Sequence, residues 1–160
     1  MAITLSRYLK IQILGSGVAT NGTLRDVMND ALHATAGFTL NILDGSRPTF
    51  PETVTTSNIL MSISGCKFGN AVYDTTIAAV VLKKTATAWS AIPTITGTAA
   101  WFRIYIPTYS DTDGRGQDSG FGFPRIDGTI DSIVGDLVMP DTTCTIGIAK
   151  TIDQFNISIT

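Results

Sequence analysis

The residue best suited to nucleophile–base chemistry is His33, the single histidine of the chain. A catalytic histidine needs a Ser or Cys nucleophile and an orienting carboxylate within hydrogen-bond reach. His33 instead stands near the end of an apolar-periodic stretch, where the negative end of a helix dipole favours a cationic side chain, so a capping role fits it better. A second arrangement, Asp111-Thr112-Asp113-Gly114-Arg115-Gly116-Gln117-Asp118, spaces Asp111, Asp113 and Asp118 as oxygen ligands for a hard cation such as Ca²⁺. It lacks a closing bidentate glutamate, and Arg115 brings a competing charge, so a solvated loop is expected and these three are only weak calcium candidates. A third, Ile11 to Ala19 with Gly15-Ser16-Gly17, imitates the strand-then-glycine start of a dinucleotide site. Asn21-Gly22 interrupts the helix that site requires, and no strand–helix–strand unit follows. The expectation is no catalytic residue, no cofactor, no metal and no enzyme.

Cys66 and Cys144 lie far apart and without clustered histidines, which reads as two small buried hydrophobes. Trp89, Trp101, Tyr105 and Tyr109 could stack on sugar rings, but aromatics in strands usually belong to a core. The formal net charge is -2, and no Lys or Arg cluster is dense enough to neutralise a run of phosphates, so nucleic-acid binding is disfavoured. The longest apolar run, Ile77 to Leu82, is far short of the roughly 20 residues a bilayer span needs. The N-terminus lacks the basic start and cleavage site of a signal peptide, which places assembly in the cytoplasm. Charged residues make up 15% and hydrophobic residues 44%, a poorly charged composition suited to permanent contact with a partner.

These residues must be positioned by elements whose periods change along the chain. Leu24, Val27, Met28, Ala31 and Leu32 repeat at helical spacing, which predicts one helix over about 24–34, with Thr23 as N-cap and Gly37 as a stop signal. Downstream, the alternations Phe38-Leu40-Ile42 and Ile59-Met61-Ile63 predict strands, as do 70–73, 76–82 and 99–106. The last carries apolar bulk on both faces, the pattern of a central strand. Further strands are predicted over 125–130, 136–139, 143–148 and 155–159, with a glycine-rich loop at 110–122. Short strands without intervening helices predict a mainly β fold, a single β-sandwich or jelly-roll-like domain over 23–160 with one N-terminal helix. Residues 1–22 form a lead segment. Its Leu5, Tyr8, Leu9, Ile11 and Ile13 are too apolar to stay solvated and are candidate interface residues, either on a partner or as an edge strand of the same domain.

The chain resembles small tailed-phage virion proteins of the capsid decoration, or cement, type. The resemblance is carried by Leu24 to Leu32 followed by Phe38 to Pro48, then by Gly97 to Tyr105, Arg125 to Ile130 and Gly135 to Leu137, and by the closing alternation from Thr143 to Thr160. The resemblance implies a non-enzymatic protein on the capsid surface of the virion, bridging subunits of the major capsid protein; the threefold points of a capsid lattice then favour a homotrimer. The rival it leaves open is a tail or baseplate component with affinity for host-surface carbohydrate. The lead 1–22 and the 110–122 insertion depart from the pattern.

Overall fold

A computed structural model of the chain describes residues 4–5, 37–51, 53–75, 79–85, 88–105, 125–133 and 136–159. Among them are thirteen strands and no helix. They are β1 (Thr4–Leu5), β2 (Phe38–Leu43), β3 (Ile59–Cys66), β4 (Phe68–Asp74), β5 (Ala79–Lys84), β6 (Trp89–Ala91) and β7 (Gly97–Thr98). After these come β8 (Trp101–Tyr105), β9 (Arg125–Asp131), β10 (Leu137–Val138), β11 (Thr143–Cys144), β12 (Lys150–Ile152) and β13 (Gln154–Ile159). The mainly β reading therefore holds. The expected helix at 24–34 lies outside the described residues.

Nine strands form one sheet in the order β3-β2-β8-β9-β10-β13-β5-β4, with β1 on β9. The first and last strands of that path are separated in sequence only by Lys67. The sheet therefore curls back onto the segment from which it starts. Two ribbons, β7 with β11 and β6 with β12, complete the pairing.

The curl wraps one apolar core. Phe38, Leu40 and Ile42 of β2 meet Phe102 and Ile104 of β8, Ile126 of β9 and Phe155 of β13. Phe38, Phe68, Trp89, Phe102 and Phe155 form a chain of ring contacts with centroids between 4.8 and 6.1 Å apart. These tilted, stacked and edge-on pairs bring together strands from both halves of the sheet, so aromatic packing closes the curl. A bulge lets Ile42 oppose Met61 while Leu43 opposes Ile59, which puts both Leu60 and Met61 inside instead of alternating. Gly37, expected as a helix stop, has φ +63°, and a Cβ there would come within 2.5 Å of the Cys66 carbonyl oxygen. Close approach of the two backbones demands glycine.

One edge of β9 pairs with β8 from Arg125 to Thr129. The opposite edge is shared: Ile126 and Asp127 take β1, while Ile130 and Asp131 take β10 in parallel. A parallel neighbour normally needs a crossover of a dozen or more residues. Here the chain turns at once, with the Asp131 carboxylate accepting from the Ile133 amide and the Asp136 carboxylate accepting from both the amide and the hydroxyl of Thr129. These local bonds fasten the two described ends of the connection.

Candidate interaction surface

The other face of β2, β8 and β9 is buried as well, and a polar row crosses it between Leu43, Trp101 and Tyr105. Register places Ser62, Asn41, Arg103, Asp127 and Thr4 opposite one another across β3, β2, β8, β9 and β1. Ser62 donates to Asn41 at 2.7 Å, and Arg103 grips Asp127 with Nε to Oδ1 and Nη2 to Oδ2, both 2.8 Å. Arg103 is 1% exposed and Asp127 fully buried, so this bidentate pair is held away from water. Burial pushes the Asp127 carboxyl above its ordinary value, while the hydrogen bonds and charge of Arg103, then the charges of Arg125 and Arg47, pull it down. The guanidinium of Arg103 also lies 5.4 Å from the Trp101 ring centre.

What covers this polar face is the connection between β2 and β3. Arg125, fully buried, donates to the Pro51 carbonyl at 3.1 Å, and Arg103 reaches the Thr53 carbonyl at 3.5 Å. Arg47 donates to the Thr4 hydroxyl at 2.8 Å and to the Asp127 carbonyl at 3.4 Å. At the start of the connection the Trp101 indole donates to the Asp44 carbonyl, and both Asp44 carboxylate oxygens accept from Asn58, one from its amide and one from its side chain. The connection is thus a strap fixed at its ends and across its middle by long polar side chains rising from the sheet.

A second feature lies at the end of the sheet where β2 finishes and β8 begins. The stretch between β6 and β8 is tied there by Thr94 N–H to Leu60 O and Ala100 N–H to Leu43 O. The stretch between β11 and β12 is stitched to it, with the Ile146 amide donating to the Thr96 hydroxyl and the Gly147 amide to the Pro93 carbonyl. Ile146 is 60% exposed, Ile92 58%, Ile148 57% and Ile95 38%. Four isoleucines thus stand in solvent on two loops bonded to each other. The nearby β9–β10 turn adds exposed Ile133. Burying the remaining surface of one such side chain contributes roughly 1–2 kcal/mol, more than an exposed ion pair such as Lys150–Asp141 offers.

The alternation Cys144-Ile146-Ile148, which predicts a strand over 143–148, is corrected here. Only Thr143–Cys144 is strand, and Gly147 at φ +83° turns the chain so that Ile146 and Ile148 point outward. The interface residues expected in the lead fare differently: Leu5 belongs to β1, an edge strand on β9, while Tyr8, Leu9, Ile11 and Ile13 lie outside the described residues. His33, Gly15-Ser16-Gly17, Tyr109, the weak calcium candidates Asp111, Asp113 and Asp118, and the 110–122 insertion also lie outside them. Among the described residues no group of three or more His, Cys, Asp or Glu could hold a metal ion. Trp89 and Trp101 are buried, so neither offers a ring face for sugar stacking. Cys66 and Cys144 are buried free thiols, and burial pushes the Cys66 thiol up to about 12. No helix among the described residues is long and apolar enough to cross a membrane. Comparison of the chain with protein-family models, curated proteins and solved structures returned no match.

Proposed function

We propose that the chain is a non-enzymatic structural protein of a tailed-phage virion that decorates the capsid and cements neighbouring subunits of the major capsid protein. The observation that carries this reading is the set of exposed isoleucines at 92, 95, 146 and 148, presented on mutually bonded loops by a sheet with a fully packed core. Exposed apolar side chains gathered on two bonded loops are what a lasting protein contact covers. The low charge of the sequence and its resemblance to decoration proteins point the same way. In this reading the curled sheet belongs to a sandwich or jelly-roll-like body with a helix at 24–34. The protein acts as a homotrimer, the symmetry offered by threefold points of a capsid lattice.

The test is attachment. Purified protein is added to particles lacking it, and bound protein is measured after sedimentation and located by cryo-electron microscopy. Wild type is expected over the capsid, and the variant Ile146→Asp with Ile148→Asp is expected to keep its thermal midpoint while failing to attach. Density confined to the tail, or unimpaired attachment of a folded variant, would overturn the reading.

A further inference from the structure

Independently of where on a particle the chain sits, we infer that the outer side of the Asp44–Asn58 strap is a binding site for a neutral carbohydrate. The strap borders a wide-open depression of about 560 Å³, shallower than the clefts in which small molecules are usually buried. Its lining is unlike the mostly apolar lining usual there. Six of the lining residues carry hydroxyls: Ser46, Thr49, Thr53, Thr55, Thr56 and Ser57. A hydroxyl both donates and accepts, so such a wall complements a ligand that is itself a ring of hydroxyls.

Charge decides between a sugar and an anion. The depression is lined by one cation and one anion, Arg47 and Asp44. Asp44 spends both oxygens on Asn58, and Arg47 is directed toward Thr4 and the Asp127 carbonyl. Among the described lining residues the charges balance, leaving none over for a phosphate or sulfate to neutralise. Apolar surface is present at the margin, as the ring faces of a sugar require. Val54 is a half-exposed part of the lining, and Phe50, 63% exposed, follows the lining residue Thr49 in the chain.

The site is also built before any ligand arrives. The indole of Trp101 fixes Asp44, Arg125 fixes Pro51, and Arg103 reaches Thr53, all from the buried polar face below. The Thr55 hydroxyl accepts from the Ser57 amide, and a Cβ on Gly45, whose φ is +66°, would stand 3.3 Å from the Ser57 hydroxyl oxygen. The two walls are thus close and their backbones set. A long irregular connection with this much anchoring loses little further freedom on binding, which favours affinity.

The experiment is an NMR titration of the ¹⁵N-labelled full chain with glucose, galactose, N-acetylglucosamine and their short oligomers, and separately with sodium sulfate. At least one sugar is expected to shift amides between Asp44 and Asn58 saturably, with sulfate inert. Thr56→Val and Thr49→Val, both on the exposed wall, are each expected to weaken that sugar severalfold. Both should leave the spectrum outside the strap and capsid attachment unchanged, so failure here and failure of the capsid reading are separable. The inference is overturned if no sugar shifts the strap amides, if the shifts fall elsewhere, or if sulfate reproduces them.

Discussion

Replacing Arg103 by methionine tests whether the buried polar row is held by charge. Methionine keeps most of the apolar stem and removes the guanidinium that donates twice to Asp127 at 2.8 Å. The Asp127 carboxylate, fully buried, then loses the first-ranked influence holding its pKa down, while the burial that pushes it up is unchanged. Removing one partner of a buried pair costs about 3–5 kcal/mol when the other stays ionised. The sign with pH follows from the direction of the shift. A carboxyl whose folded pKa is raised contributes stability that is fully present below its unfolded pKa and is lost as pH rises through the folded one. Near pH 4 Asp127 can bind a proton and become neutral, so Arg103→Met should cost only about 1 kcal/mol there, from lost contact with Trp101 and the strap. At neutral pH the cost should reach about 3–5 kcal/mol, a fall in melting temperature of roughly 6–20 °C for a chain of this size. Urea denaturation across this pH range, followed by circular dichroism, reads the difference. The double variant Arg103→Met with Asp127→Val should recover part of the neutral-pH loss, because no ionised Asp127 is left unpaired, while the fully buried Arg125 loses the neighbouring charge of Asp127. A cost that is independent of pH, or below about 1 kcal/mol at neutral pH, would refute the reasoning by showing that water reaches the pair.

Gly128→Ala should destabilise by about 1–3 kcal/mol in the same assay, since its Cβ would stand 2.4 Å from the Phe102 ring in the core. With burial holding the Cys66 thiol near 12 and raising that of Cys144, neither should react with a disulfide reagent at pH 8 until denaturant is added. Reductant should leave the melting temperature of the native protein unchanged, and a fall of several degrees would show a disulfide in place of two thiols.

Much of the fold was legible because its central strands follow simple periods. Phe38, Leu40 and Ile42 alternate into the core as expected, and the two-faced bulk of 101–105 does mark a strand flanked on both edges. The short ribbons were not legible. Two or three residues, such as Gly97–Thr98 or Lys150–Ile152, are too few for alternation to register, and their pairing is decided by the partners at 143–144 and 89–91. The outward turn of Ile146 and Ile148 was not legible, because a period of two says only that side chains share a face. It cannot say whether that face meets the core or solvent, and here a glycine turn sends them to solvent. The polar row was hidden for the opposite reason. Asn41, Arg103 and Asp127 look like outward-facing strand residues, and only pairing across strands, with a strap above, buries them.

That burial links the two surfaces of the protein. Apolar residues alone could have covered the outer face of β2, β8 and β9, and replacement of buried ion pairs by apolar groups is often neutral or stabilising. An apolar face, however, would hold the strap without direction. Guanidinium groups donate along fixed lines, so Arg103 and Arg125 locate the carbonyls of Thr53 and Pro51 individually and set where the strap's outer hydroxyls stand. Arg103→Met in the double variant should therefore separate stability from recognition. The chain should stay folded and be more stable at neutral pH than Arg103→Met alone, while the strap amides lose their sharp, saturable response to sugar. If the double variant binds sugar as well as wild type does, the Arg103–Asp127 pair serves folding alone, and the strap holds its shape through Arg125 with Pro51 and through Asp44, Asn58 and Trp101.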